Sequence, residues 1–446
     1  MTKTIDTLIH ARWIIPVEPD NVVLEHHSLA IADGRIEAIL PRDEADARFQ
    51  PRVVLEFDRD HALIPGLINA HTHAAMSLFR GLADDLPLMQ WLGDHIWPAE
   101  GRWINSQFVY DGTLLASAEM LRGGTTCFND MYFFPDEAAR AAAHAGIRAV
   151  VGLIMIDFPT AWAASPDEYL SKGLALHDRY RNDPLIRTAF APHAPYTVSD
   201  QPLQRVRTLS DELDLPIHMH VHETADEIGQ SEEHHRQRPL QRLSKLGLLS
   251  PRLLAVHMTQ LDDSEIEDFA RAGGHVIHCP ESNLKLASGF CPVHRLIGAG
   301  VNVALGTDGA ASNNDLDMFG EMRTAALLAK AVSNDARAVP AATALRMATL
   351  NGARALGIDA ETGSLVPGKA ADVVAVDLGG LESRPVYHPV SQIVYATNRE
   401  RVTDVWVAGR HVLKERRLTT MDEPAILAAT QAWQEQIAEG DATGTQ

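Results

Sequence analysis

The sequence predicts an α/β protein whose larger part is a TIM-like (β/α)8 barrel, accompanied by a small β domain. Between about residues 63 and 358, apolar runs typical of strands alternate with stretches typical of helices. This alternation predicts parallel strands joined by crossover helices, and eight such strands fit a closed barrel. Segments 1–62 and 359–446 consist mainly of short β-type runs separated by turns, which predicts a second domain.

The N-terminal segment should pair with strands from the other end of the chain. Its β-type runs lie at 8–15, 28–31, 35–39 and 53–57. Asp33 and Gly34 separate two of these runs, and Asp-Gly in such a place is a strong hairpin signal. The segment is too short to form a large core alone, so runs 371–376 and 402–409 are the candidate partners. Residues 423–439 have the pattern of an amphipathic terminal helix.

The barrel strands are expected at eight apolar runs, which are 63–73, 125–131, 148–156, 186–193, 216–223, 253–258, 275–280 and 302–308. A crossover helix should open at Pro135, where a proline and two acidic residues suit a helix start. The long loop 81–92 follows the first strand and lies at the barrel mouth. Either Met89, Trp91 and the nearby Trp97 cover a flat aromatic ligand there, or they pack the loop onto the rim.

The composition is ordinary for a soluble globular protein, with 46% hydrophobic and 22% charged residues. A net charge of −20 argues against nucleic acid or an anionic membrane as partner. It suits a small neutral or cationic substrate, or simply a solvated acidic surface. No apolar run approaches the roughly 20 residues of a membrane helix, and the N-terminus lacks a signal-peptide pattern. The three cysteines, a sparse and odd set, indicate a reducing compartment, so a cytoplasmic location is expected.

Two histidines at the end of the first predicted strand are candidate metal ligands. His71 and His73 share one face of a strand, where a divalent metal such as zinc would find two imidazoles. Such a pair alone is more often structural, but polar residues also end later apolar runs. These are His218, His220, His222 and Glu223 at the fifth run, His257 at the sixth and Asp308 at the eighth. Because the carboxyl ends of barrel strands meet at one face, the set predicts a metal-dependent active site.

Together these motifs resemble those of the amidohydrolase superfamily. The stretches that carry the resemblance are PGLINAHTH at 65–73, HVHET at 220–224, VHM around His257, HCPESNLKL at 278–286 and GTDGAASNNDLDM at 306–318. Over nearly its whole length, the chain is similar to adenosine-type deaminases acting on 5′-methylthioadenosine and S-adenosylhomocysteine. The resemblance implies a barrel at 63–358 and a small discontinuous β-sandwich from 1–62 and 359–446, the latter ending in a terminal helix.

The resemblance also implies one divalent metal per subunit, either zinc or iron(II). Its ligands would be His71, His73, His220 and Asp308. His220 is chosen among its neighbours because the family ligand precedes the glutamate by three residues. A second metal usually needs a carboxylated lysine after strand 4, and the sequence at 191–195 contains no lysine.

For the reaction, the resemblance implies roles at five positions. Glu223 protonates N1 of a purine as hydroxide attacks C6, Asp308 accepts the proton of the attacking water, and His257 bonds the attacking oxygen. Glu223 and Asp308 therefore contact the substrate as well. His193 also contacts it, and Glu100 binds the two ribose hydroxyls. The alternatives are a structural His193 and a solvated Glu100.

Three further residues keep a structural or open interpretation. His218 is expected deeper in the barrel than His220, as a hydrogen-bonded core residue. His222 is left undecided between core and site. Lys285 lies in the SNLKL stretch, and no role is inferred for it.

The expected function is hydrolytic deamination of a small-molecule 6-aminopurine nucleoside. The foremost substrate is 5′-methylthioadenosine, giving 5′-methylthioinosine and ammonia, and S-adenosylhomocysteine and adenosine are further ones. Family members that take S-adenosylhomocysteine carry arginines after strand 3, whereas stretch 151–164 has no lysine or arginine. Unless Arg148 or Lys172 supplies that charge, the shorter substrate should be preferred.

The alternatives are a triazine, guanine-type or other heteroaromatic aminohydrolase or chlorohydrolase of the same superfamily, and a non-catalytic scaffold. A ribose-binding Glu100 argues against a bare ring as substrate, and an intact ligand set with Glu223 argues against a scaffold. Assembly into a homo-oligomer is left open.

Overall fold

The structure, a computed structural model, describes residues 2–443 and contains two eight-stranded sheets. The strands are β1 (Lys3–Ile14), β2 (Leu24–Ala32), β3 (Arg35–Pro41), β4 (Phe49–Pro65), β5 (Leu67–Thr72), β6 (Thr125–Asp130), β7 (Arg148–Met155), β8 (Ile186–Pro192), β9 (Ile217–Val221), β10 (Leu253–His257), β11 (His275–His278), β12 (Asn302–Leu305), β13 (Val373–Asp377), β14 (Val402–Val407), β15 (Arg410–Lys414) and β16 (Arg417–Leu418).

The α-helices are α1 (Arg42–Arg48), α2 (Leu88–Trp91), α3 (Trp97–Trp103), α4 (Ser106–Arg122), α5 (Pro135–Ala145), α6 (Pro166–Tyr180), α7 (Asp200–Leu213), α8 (Ala225–His235), α9 (Pro239–Lys245), α10 (Asp263–Ala272), α11 (Pro280–Lys285), α12 (Val293–Gly298), α13 (Met318–Ser333), α14 (Ala341–Met347), α15 (Leu350–Ala355), α16 (Pro389–Tyr395) and α17 (Glu423–Thr443). Short 3-10 helices at Ala74–Phe79 and Arg399–Arg401 and a π-helical turn at Leu92–Ile96 are also present. Among the described residues, no helix combines the length and the hydropathy needed to cross a membrane.

Strands β5 to β12 form a parallel sheet in which neighbours in sequence are neighbours in space, as in a (β/α)8 barrel. Its first and last strands meet where the backbone N–H of Asp308 donates to the carbonyl of His71 at 3.1 Å. Gly306 lies at this seam, and a Cβ there would be 2.7 Å from the backbone nitrogen of His71. Only glycine permits so close an approach. The predicted fold class is confirmed.

The first predicted barrel strand, 63–73, begins too early. β5 starts at Leu67, and the preceding residues through Pro65 finish β4 in the other sheet. Gly66 separates the two strands, and a Cβ on it would lie 1.9 Å from Oγ1 of Thr126. The chain therefore passes from one sheet to the other at a glycine, without an intervening loop.

The second sheet joins the two ends of the chain in the order β16-β15-β14-β13-β4-β1-β2-β3. β1 and β4 are parallel, whereas β1 with β2 and β4 with β13 are antiparallel. Because β4 pairs with both β1 and β13, the sheet is continuous, and its two halves share a core that includes Ile9, Leu29 and Trp406. The predicted hairpin forms between β2 and β3, where Asp33 and Gly34 both adopt positive φ, 49° and 75°.

By compactness, the chain divides into two units. One contains the residues up to Asn69, Met120–Cys127 and Asp317–Thr420, and the other contains Ala70–Glu119, Phe128–Leu316 and the residues from Met421 onward. Strands β5 and β6 begin in one unit and end in the other, so compactness and sequence boundaries divide the chain differently. The expected segments 1–62, 63–358 and 359–446 stay a prediction.

Candidate active site

Four side chains from three strand ends converge at one point of the barrel unit. They are His71 and His73 from the end of β5, His220 from β9 and Asp308 just beyond β12. One nitrogen or oxygen atom from each lies within 4.8 Å of the corresponding atoms of the others. Three imidazoles and a carboxylate at this spacing form a donor set that suits zinc or a similar divalent ion. The predicted ligand residues are thus brought together.

The second nitrogen of each ring fixes how that ring faces the group. Nδ1–H of His73 donates to the carbonyl of Met131 at 2.5 Å, and Nδ1–H of His220 donates to the carbonyl of His193 at 2.8 Å. These bonds leave the Nε2 lone pairs of both rings facing the shared point, as metal-ligating histidines require. The Nδ1 atom of His71 lies 2.7 Å from Nε2 of His218.

Asp308 is held by both of its oxygens. Oδ1 lies 3.2 Å from Nε2 of His71 and 3.2 Å from Nε2 of His73. Oδ2 accepts hydrogen bonds from the hydroxyls of Ser282 at 2.6 Å and Ser312 at 2.8 Å. Burial acts to raise the pKa of Asp308, but hydrogen bonds and charge from the two histidines hold it well below its usual range. The carboxylate therefore stays ionised and can act as ligand and proton acceptor.

Glu223 lies just past β9 with its carboxylate facing the same point, and Oε2 is 3.8 Å from Nε2 of His257. Burial raises the pKa of Glu223, while His257 acts against the shift. The turn that carries Glu223 is fixed by Glu227, which accepts from the backbone N–H of His222 at 3.1 Å and of Glu223 at 2.7 Å. A carboxyl group with a raised pKa in a rigid turn is suited to proton transfer.

The ring of His257, the last residue of β10, is oriented by a hydrogen bond to Asn283. Its Nδ1 lies 2.8 Å from Oδ1 of Asn283, to which it donates. The ring stacks on that of His220 at a centroid distance of 5.5 Å, which leaves Nε2 directed towards Glu223. Asn283 belongs to the HCPESNLKL stretch, so one purpose of that motif is to hold His257.

His193 and Glu100 both face the cavity next to the four-residue group. Nδ1 of His193 is 3.0 Å from Oγ1 of Thr197, which fixes the ring. Glu100, on α3, accepts a hydrogen bond from the hydroxyl of Tyr132 at 2.8 Å. Burial raises the pKa of Glu100 to about 7, although the Tyr132 bond and the charge of His73 act to lower it. Glu100 is therefore not a solvated loop charge.

The cavity has a volume of about 270 Å³, and its lining combines residues of the donor group with many apolar side chains. Trp91 and Trp97 both line it, the first buried and the second 41% exposed. Met89 is 39% exposed at the surface instead. Ile156 and Phe158, which follow β7, line another wall. No lysine or arginine of the described chain lines this cavity.

The three residues without an assigned role now have positions. His218 is fully buried and bonded to His71, as expected of a core histidine. His222 is also fully buried, but its Nε2 accepts from the backbone N–H of Leu240 at 3.1 Å, so it faces away from the ligand group. Lys285 pairs with Asp84 at 2.5 Å and also bonds to Asn314, connecting two loops of the barrel mouth.

Sequence reasoning missed several residues that hold the site. They are Met131, Tyr132, Thr197, Glu227, Ser282, Asn283 and Ser312. Tyr132 had a usable signal, because it closely follows a barrel strand. The two serines and Asn283 lie inside stretches already recognised, but only the fold shows which atoms they contact.

Known proteins resemble this chain along most of its length. The amidohydrolase family model matches residues 62–412. A 5-methylthioadenosine/S-adenosylhomocysteine deaminase of Saccharophagus degradans is 52% identical over 98% of each chain. A 5′-deoxyadenosine deaminase of Methanothermobacter thermautotrophicus is 46% identical over 83% of this chain and 86% of its own. The crystal structure of an adenosine deaminase from Xanthomonas campestris with bound zinc is 56% identical, covers 98% of this chain and 100% of its own, and superposes with a TM-score of 0.97.

Proposed function

The chain belongs to the amidohydrolase family, and we propose that it is a metal-dependent deaminase of 6-aminopurine nucleosides. Its foremost substrate is 5′-methylthioadenosine, which it hydrolyses to 5′-methylthioinosine and ammonia. One observation carries this proposal: three of the four donor residues, His73, His220 and Asp308, line a cavity together with Glu223, and most of the other lining residues are apolar. Relatives named for deamination of 5-methylthioadenosine, S-adenosylhomocysteine, 5′-deoxyadenosine and adenosine support the same reaction class.

One divalent ion, zinc in the first place, is assigned to His71, His73, His220 and Asp308. The ring orientations support this assignment, because Nδ1–H bonds to backbone carbonyls leave the Nε2 atoms of His73 and His220 as donors. Residues 191–195 after β8 contain no lysine, which favours a single ion. When bound, such an ion supplies hydroxide at neutral pH by lowering the pKa of water towards about 7.

The protein's own groups then handle the protons. Glu223, with its raised pKa, delivers a proton to N1 of the purine, so that C6 becomes open to attack. Asp308 stays ionised and accepts the proton of the attacking water. His257, held by Asn283, bonds the attacking oxygen, and His193 contacts the purine ring. Asp308 then passes its proton to the amino group on C6, and ammonia leaves as the hydroxyl proton on C6 returns to Glu223 and the C6 carbonyl forms.

Glu100 is proposed to bind the two ribose hydroxyls. Its carboxylate lines the cavity and is steadied by Tyr132 at 2.8 Å. A bare triazine or guanine ring has no ribose diol for this carboxylate to bind, which makes those substrates the weaker alternatives. A scaffold without activity would not need the buried carboxyl group of Glu223 beside the ligand group.

The 5′ side of the cavity favours an uncharged substituent. Phe158 and Ile156 supply apolar surface there, and within the described chain no cation lines the cavity. Lys172 is paired with Glu168 at 2.7 Å and with the carbonyl of Trp162. Arg148 begins β7, so it lies at the strand end opposite to the site, bonded to the carbonyl of Pro184 at 3.0 Å. An unpaired carboxylate is costly to bury, so S-adenosylhomocysteine should be the poorer substrate.

A nucleoside panel tests the proposal. Purified protein, assayed for metal content, is given 5′-methylthioadenosine, S-adenosylhomocysteine, adenosine, guanine and a chlorotriazine. The loss of adenine absorbance, the release of ammonia and, for the chlorotriazine, the release of chloride are followed. The expected result is the highest kcat/KM with 5′-methylthioadenosine. Activity on guanine or the triazine alone, or none in protein that holds its metal, would contradict it.

We also propose a cytoplasmic location, which the sparse and odd set of three cysteines supports. Light scattering during size-exclusion chromatography would measure whether the chain assembles into a homo-oligomer, which the sequence leaves open.

A further inference from the structure

His218 contacts the Nδ1 side of His71, opposite to the Nε2 atom that faces Asp308. It lies on β9 two residues before His220, and its ring packs edge-on against that of His71 with centroids 4.8 Å apart. Nε2 of His218 is 2.7 Å from Nδ1 of His71. Both rings are fully buried. His71 is therefore backed by a second imidazole, whereas His73 and His220 are backed by backbone carbonyls.

These different partners determine which ring nitrogen of each histidine carries a proton. A carbonyl oxygen can only accept, so the rings of His73 and His220 must carry a proton on Nδ1. A neutral imidazole either accepts or donates at Nε2, so the bond between His218 and His71 can form in two ways. In one, Nδ1–H of His71 donates to Nε2 of His218, and Nε2 of His71 is free to bind a metal. In the other, Nε2–H of His218 donates to Nδ1 of His71.

The second arrangement excludes His71 from metal binding. A neutral His71 that accepts at Nδ1 carries its proton on Nε2, only 3.2 Å from Oδ1 of Asp308, to which it can donate. The proton then lies where the ion has to be. The first arrangement, in turn, leaves the proton of His218 on Nδ1, a buried atom with no partner among the described residues. Neither arrangement satisfies every ring atom.

We propose that His218 is a positioning residue of the metal centre, which acts by accepting the Nδ1 proton of His71 and thereby selecting its metal-binding tautomer. The proposal rests on the ligand set given above. Each ring holds one proton before and after metal binding. Suppose that the metal-free rings have the second arrangement. Metal binding then removes the proton from Nε2 of His71, and the proton on Nε2 of His218 moves to Nδ1 of His71. His218 takes up one proton at its Nδ1 in return.

Metal affinity of folded, metal-free protein tests this role separately from activity. Zinc affinity is measured by chelator competition for the wild type and for His218→Gln, His218→Leu and the control His222→Gln. Glutamine offers an acceptor oxygen near the place of Nε2, whereas leucine offers none. Partners behind metal ligands typically change metal affinity by about 10–100-fold. We expect a loss of that size for His218→Leu, and retention within about threefold for His218→Gln, since its acceptor remains.

The control variant, His222→Gln, measures how much zinc affinity changes when any deeply buried histidine is replaced. His222 is as deeply buried as His218 but its ring bonds to Leu240, so His222→Gln should keep the wild-type zinc affinity. Equal losses in both His218 variants would mean that ring shape matters rather than the acceptor, and no loss in either would mean that His218 has no such role; both results overturn the proposal. If His218→Leu does not fold, nitrogen NMR of labelled histidines in zinc-loaded wild type decides instead. A proton on Nε2 of His218 would refute the proposal, and a proton on Nδ1 of both His71 and His218 would support it.

Discussion

Replacing Tyr132 by phenylalanine should shift the acidic limb of the pH profile upward. The Tyr132 hydroxyl donates to Glu100 at 2.8 Å and stabilises its ionised form, while burial holds the pKa of Glu100 at about 7. A hydrogen bond to a charged group contributes about 1.5–3 kcal/mol, and one pKa unit corresponds to about 1.4 kcal/mol. Because Glu100 is only half-buried, we discount the effect for solvent screening to about one unit.

The direction of the pH effect on kcat/KM depends on which form of Glu100, the carboxylate or the acid, binds the substrate. The carboxylate, not the acid, accepts hydrogen bonds from the ribose hydroxyls, so binding is present above the pKa of Glu100 and is lost as the pH falls through it. With the pKa raised from about 7 to about 8, the ionised fraction at pH 7 falls from about one half to about one tenth. The value of kcat/KM at pH 7 should therefore fall about fivefold in Tyr132→Phe, and recover above about pH 9.

The assay is kcat/KM for 5′-methylthioadenosine from about pH 5.5 to 9.5, with 2′,3′-dideoxyadenosine as a substrate that lacks the diol. Tyr110→Phe is the matched control, because its hydroxyl bonds to His144 on the outside of the barrel unit. An unchanged acidic limb in Tyr132→Phe would refute the link between Tyr132 and Glu100. An equal shift with the dideoxy substrate would assign the limb to another group, such as Glu223.

Three other substitutions test separate parts of the site. Glu223→Gln should keep its metal in elemental analysis but lose about 10²–10⁴-fold in turnover, since only the proton transfer is removed; near wild-type turnover would sink that role. Glu100→Ala should raise KM for 5′-methylthioadenosine about tenfold, after allowance for exposure, and leave 2′,3′-dideoxyadenosine almost unaffected; equal effects on both would show that Glu100 does not hold the ribose. Ala161→Arg places a cation in the cavity wall. It should raise kcat/KM for S-adenosylhomocysteine, relative to kcat/KM for 5′-methylthioadenosine, by about two- to fivefold. If the wild type already prefers S-adenosylhomocysteine, the argument from the missing cation is wrong.

The fold and the donor group could be predicted because both are encoded in short stretches. Strands β5, β9 and β10 are buried along their whole length, and the residues that face the site lie at or just beyond the strand ends. His71 and His220 are the next-to-last residues of β5 and β9, while His73 and Asp308 follow the ends of β5 and β12. The start of the first strand was predicted too early, because the last residues of β4, 62–65, and β5 form one apolar stretch that only Gly66 divides.

The supporting contacts could not be predicted, because they join residues from different loops. Asn283 bonds to His257 and Ser312 bonds to Asp308, and no periodicity in the sequence links the members of such a pair. Nor does spacing decide among the three histidines of β9 and its end. His218, His220 and His222 share a face in an ideal strand, but the positive φ of 55° at His222 turns its ring away.

The seam of the barrel also sets the order in which the site can be assembled. His71 and Asp308 are 237 residues apart, and they meet only where the first and last strands pair. Bringing such distant segments together costs chain entropy before any contact offsets it, so this pairing should come late in folding. A partly folded chain can carry both histidines of β5 and still lack the carboxylate. An ion that needs all four groups stabilises, by mass action, only molecules whose seam has formed. The metal content of a preparation therefore gives a lower bound on the number of molecules that have completed their barrel.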